Sequence, residues 1–84
     1  MTQTELVKKG LENQLVFFSY EGRELRGFIS NSVPKKEKVL ESHWHYIPNH
    51  TRKTWAAANA EQKKLIVDVE IIDIDKIMWC VALR

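Results

Sequence analysis

Cysteine is nearly absent: Cys80 stands alone among 84 residues, which excludes an internal disulfide and any zinc knuckle built on thiolates. A chain without disulfides suits a reducing compartment. Long apolar runs are missing too. The longest, residues 77–83, falls far short of the roughly 20 residues a membrane-spanning helix needs. The first residues carry no basic stretch followed by an apolar run, so no secretory signal is expected. The expected compartment is the cytoplasm, with no membrane partner. Internal repeats, low-complexity tracts and linkers are lacking, as is any catalytic or cofactor signature. Neither an enzyme nor a cofactor is expected.

What is present is apolar and aromatic. Hydrophobic residues make up 44% of the chain and include three Trp, three Phe and two Tyr. That suffices for the core of one domain over residues 1–84, with some apolar surface to spare. Small chains often complete their burial against a second copy, so a homo-oligomer is expected.

Charge is unevenly spread. Residues 1–22 sum to −1 and residues 65–84 to −2, while residues 23–64 carry +5 through nine basic side chains and hold all three histidines. A basic interior segment can meet phosphate or an acidic protein surface. The plain alternative is a set of solvated loop lysines.

Thr2 followed by Glu5 forms a capping-box pattern, with Leu6, Val7 and Leu11 on one helical face and Asn13 as the stop. Gly10 weakens that helix. Residues 15–20 concentrate β-branched and aromatic side chains and predict a strand apolar on both faces. Glu21 and Gly22 make a tight turn into a strand over residues 23–30, with Leu25, Gly27 and Ile29 on one face and Arg26 and Phe28 on the other. Pro34 ends it, and a charged connection over residues 35–42 follows.

Residues 43–47 alternate again: Trp44 and Tyr46 face one way, His43, His45 and Ile47 the other. Propensity favours a short helix within residues 51–64, around Trp55, although a strand arm is the alternative. A strand is expected over residues 65–72 with Val67, Val69 and Ile71 on one face, then a one-turn corner at residues 73–76. The last strand covers residues 77–83, with Ile77, Trp79, Val81 and Leu83 on one side. The expected fold is mainly β (α+β overall). It is a small bent five-stranded barrel with an N-terminal helix in front, since closure removes exposed edges.

A family resemblance starts from these residues. Residues 6–29, with Gly22 and Gly27 separated by four residues in the second strand, resemble the opening of Sm-like proteins. Residues 16–23 are also similar to the start of the WYL domains of bacterial regulators, and Ile74, Asp75, Lys76 and Ile77 resemble the segment that closes them. Both resemblances imply an SH3-like barrel. Sm-like proteins bind RNA through an Asp and Asn pair after the second strand and an Arg-Gly pair before the last. This chain has no Asp over residues 30–34, and Ile74, Asp75 and Lys76 occupy the second place.

Candidate sites divide by chemistry. His43 and His45 share a strand face and His50 follows, with Asp68 or Glu70 as possible carboxylates, but no spacing dictates a fourth ligand and no metal is expected. Cys80 reads as a buried small hydrophobe. The pairs Asp68/Glu70 and Asp73/Asp75 read as outer-face and corner residues, because acid–base work needs a pocket. The best candidates combine cations with aromatics, which hold phosphates and stack on bases. They are Arg23, Arg26, Lys35, Lys36, Lys38, Arg52, Lys53 and Trp55, with Trp44 and Tyr46 either beside them or in the core. The expectation is a non-enzymatic binding module for nucleic acid. The alternative is a protein-interaction or dimerisation module.

Overall fold

The computed structural model describes residues 1–83. Helix α1 (Gln3–Lys8) starts from the expected capping box: Thr2 Oγ1 accepts from the Glu5 amide at 3.2 Å, and the Glu5 carboxylate accepts from the Thr2 amide at 3.4 Å. It stops earlier than Asn13. Gly10 takes φ 67°, Leu11 N donates to Leu6 O and Gly10 N to Val7 O, the paired bonds of a Schellman cap. Gly10 is thus the helix terminator rather than a weak interior residue. The motif brings Leu11 back over Leu6, and both are buried, while Val7 is exposed.

Strands β1 (Val16–Tyr20) and β2 (Arg23–Ser30) form a hairpin with Tyr20 opposite Arg23. Glu21 (φ 47°) and Gly22 (φ 80°) provide the two left-handed residues its turn requires. β2 passes at Gly27 from pairing with β1 to pairing with the next strand. A Cβ atom there would lie 2.3 Å from the Ile47 carbonyl oxygen and 2.8 Å from the Tyr46 ring. Only glycine lets the backbones approach so closely. β3 (His43–Pro48) runs antiparallel to this second half of β2.

The connection over residues 31–42 holds one 3-10 turn, Lys35–Glu37. The insert after β3 is helical, in two pieces: α2 (Arg52–Ala57) and α3 (Ala60–Lys63). Asn59 and Gln62 cap α3 reciprocally, each side chain accepting from the other's amide at 2.9 Å.

β4 is shorter than expected, Glu70–Asp73. Residues 65–69 lie outside the sheet, with Leu65 81% and Val67 87% exposed. Asp68 holds this segment, accepting from Thr51 Oγ1 at 3.4 Å and meeting His50 Nε2 at 3.2 Å. The expected corner is a 3-10 turn, Ile74–Lys76, capped by Asp73 Oδ1, which accepts from the Asp75 amide.

β5 (Ile77–Ala82) carries a bulge. Tyr20 pairs with Ile77 but Ser19 with Trp79, leaving Met78 as the extra residue. The extra residue reverses the alternation. Ile77 and Cys80 enter the core, while Trp79 and Val81 face outward, against the single-sided strand read from the sequence.

The five strands make one antiparallel sheet in the order β4-β3-β2-β1-β5. Laid flat, its edge strands would stand roughly 19 Å apart at the usual strand spacing. One 3-10 turn joins them, a rise of about 6 Å. The sheet therefore curls steeply, although β4 and β5 remain its unpaired edges among the described residues. Its concave side encloses Leu6, Val16, Phe18, Ile29, Trp44, Tyr46, Ile72, Ile74 and Ile77. Trp44 and Tyr46 are thus core residues. Among the described residues, no helix is long and apolar enough to cross a membrane.

Candidate functional site

The convex face of the sheet gathers rings and cations. Phe17 on β1 lies opposite Arg26 on β2 and Val81 on β5, so all three share that face. Trp79 meets Phe17 edge to face with centroids 5.1 Å apart, and the Arg26 guanidinium sits 5.3 Å from the Phe17 centroid. Two residues along β2, Phe28 shares the face of Arg26 and is covered by Arg52 at 4.4 Å. Beyond it His45 on β3 meets Trp55 of α2 edge to face at 5.0 Å, and Lys63 lies 4.8 Å from the Trp55 ring. Three cation–ring pairs thus run across one face, from β1 to the insert.

Cations over ring faces are attracted by the ring quadrupole, by about 0.5–1 kcal/mol at exposed sites. The contact also holds the charged head in a defined place while leaving its outer edge to solvent. Arg26 and Arg52 are both exposed.

The eight residues singled out from the sequence do not form one patch. Arg26, Arg52 and Trp55 come together on the convex face. Lys36 lies across a cleft from Trp55. Arg23 pairs with Glu70 at 3.5 Å. Lys38 turns inward: its side chain is 8% exposed, and its ammonium donates to Asn31 Oδ1 at 2.6 Å and faces Glu41 at 3.9 Å. Lys35 and Lys53 are exposed. Phe17, Phe28, Lys63 and Trp79 escaped the sequence reading. Arg26 and Phe28 were placed on one face by alternation, but the bulge hid Trp79, and only the tertiary fold sets Arg52 over Phe28.

The imidazoles go separate ways. His45 is buried and its Nδ1 lies 2.7 Å from Ser32 Oγ, while His50 pairs with Asp68. Burial, reinforced by the Lys63 charge, holds His45 below the usual histidine range, so it is neutral at pH 7. Among the described residues, no group of three or more His, Cys, Asp or Glu side chains could hold a metal ion. Burial pushes the Cys80 thiol up to about 11, which removes it as a nucleophile near neutrality.

Compared with known proteins, the chain matches no family model, no curated protein and no solved structure.

Proposed function

We propose that this domain is a non-enzymatic module that binds single-stranded nucleic acid on its convex face. The observation that carries the reading is the row of three cation–ring pairs, Arg26 on Phe17, Arg52 on Phe28 and Lys63 on Trp55, beside the exposed indole of Trp79. Cations placed this way meet phosphates, and the exposed Trp79 ring stacks on a base that a single strand leaves unpaired. Phe28 is buried beneath Arg52 and serves to hold it. Lys35 and Lys53 are exposed, whereas Arg23 and Lys38 are engaged within the protein.

The test is fluorescence anisotropy of labelled single-stranded RNA, single-stranded DNA and duplex DNA at low and physiological salt. Single strands bind with affinity that falls steeply as salt rises, and the double variant Arg26→Ala, Arg52→Ala weakens them. Flat curves for all three at low salt overturn the proposal.

A second reading has its own observation. On the edge strand β5, Met78 is 79% exposed and Trp79 and Val81 are also exposed. An apolar edge with unpaired backbone groups favours strand addition by a protein partner, including a second copy. Light scattering that gives a monomer at high concentration removes the homo-oligomer.

The finer architecture belongs to the same proposal. The steep curl, the strand order and the Ile74–Lys76 corner favour an SH3-like barrel of the Sm-like or WYL kind, and the lone buried thiol favours the cytoplasm.

A further inference from the structure

We infer that the cleft between residues 32–37 and the α2–α3 insert is a pocket for a single phosphorylated nucleotide. The inference rests on the nucleic-acid reading, because Trp55 belongs both to the convex row and to the wall of this cleft.

The cleft measures about 580 Å³, within the size range of small-ligand sites. Its floor is His45, 8% exposed. Nδ1 of His45 is engaged with Ser32 Oγ at 2.7 Å, whereas Nε2 has no hydrogen-bond partner among the described residues. Among the described residues, no fully buried side-chain nitrogen or oxygen lacks a hydrogen-bond partner, so Nε2 keeps contact with solvent on a residue that lines the cleft. A polar atom on a buried residue is thus available to whatever enters.

The Ser32 hydroxyl can donate to Nδ1 or accept from it. Nε2 accordingly becomes either a donor or an acceptor, and the pair adapts to a phosphate oxygen or to a base amino group.

The walls suit the two ends of a nucleotide. The Trp55 ring and the half-exposed Ile71 provide an apolar flank for a base. At the rim stand Lys36, Lys63 and Lys64, opposed by Glu37 and Glu61. Lys64 is paired with Glu61 at 3.6 Å, and Lys36 has no ion pair among the described residues. An excess of cations above an apolar flank fits a phosphomonoester joined through a sugar to a flat base. Such a group occurs as a free mononucleotide or as the phosphorylated end of a strand.

The test uses the whole isotope-labelled protein with AMP and UMP, and with one short single-stranded oligomer made with and without a 5′-phosphate. The mononucleotides are expected to shift the His45 ring nitrogens and the Trp55 indole. A strand end as the occupant gives about tenfold tighter binding of the phosphorylated oligomer, the worth of one charged hydrogen-bonded contact. Lys36→Gln, at an exposed position remote from the core, removes that preference, so that the phosphorylated and unphosphorylated oligomers bind alike. Mononucleotide binding without any oligomer binding keeps the pocket as a free-nucleotide site and overturns the proposed function. Salt-sensitive oligomer binding with no shift at His45 and no phosphate preference overturns the pocket alone. Silence from every ligand overturns both.

Discussion

Tyr46 donates its phenolic proton to the carbonyl oxygen of Arg26 at 2.8 Å, so a core side chain pins the backbone that carries a convex-face cation. The bond lies next to Gly27, against which the Tyr46 ring packs. Phe18 meets the same ring edge to face with centroids 5.4 Å apart. The position of Arg26 over Phe17 is therefore set from inside the core.

Gly27→Ala should be among the most damaging single changes. The added methyl meets the Ile47 carbonyl and cannot be relieved by rotating a side chain, so the loss should reach about 3 kcal/mol. Gly22→Asn, at a turn position with open space around it, should cost less than about 1 kcal/mol because asparagine tolerates positive φ. Urea unfolding midpoints of the two variants provide the comparison.

Stability should fall on mild acidification through His45. Its folded-state pKa is lowered by burial and then by Lys63, so the unfolded chain binds the proton more tightly. The contribution of neutral His45 is complete above about pH 6.5, the unfolded value. It diminishes as pH falls below that value and levels off beneath the folded one. His45→Gln should flatten this part of the profile, measured as unfolding midpoints between pH 7.5 and pH 5.

Cys80 should resist thiol reagents in the native protein. With the thiol pushed up to about 11, only roughly 0.1% is thiolate at pH 8, and the core limits access. Disulfide-exchange reagents should therefore react about a hundredfold faster once urea unfolds the chain. Equal rates in both states would place the thiol outside the core.

The convex face also makes a prediction of sign. Glu24 is exposed on β2 opposite Ser19, on the same side as Arg26. Glu24→Gln should tighten single-strand binding, whereas Arg52→Ala should weaken it and reduce the salt slope by about 0.7, the share of one phosphate contact on a single strand. Lys38→Ala should leave that slope unchanged, since its ammonium faces Asn31 and Glu41. Salt titrations of the three variants separate these outcomes.

Local chemistry was the legible part of this sequence. Thr2 with Glu5, and Glu21 with Gly22, are satisfied within a few residues of themselves, so the helix start and the hairpin could be read directly. Harder features depend on distant partners. Residues 65–69 alternate like a strand, yet Asp68 is captured by Thr51 and His50 and the pairing begins only at Glu70. The Met78 bulge answers to the register of β1, which nothing in residues 77–83 encodes locally. The candidate site was divided for the same reason. Composition marked Arg26, Arg52 and Trp55, but which ring each cation covers is decided by the fold.

Val16 sits between Gly27 on one side and Ala82 on the other. The first neighbour arrives within a hairpin; the second comes from the opposite end of the chain. While the ribosome is still adding β3 and the insert, one flank of β1 stays open and Phe18 lacks part of its cover. Such a nascent chain offers a sticky strand edge to whatever is near, chaperones included. Its final locking waits for Ala82, so the pairing of β1 with β5 closes the longest loop in the sheet.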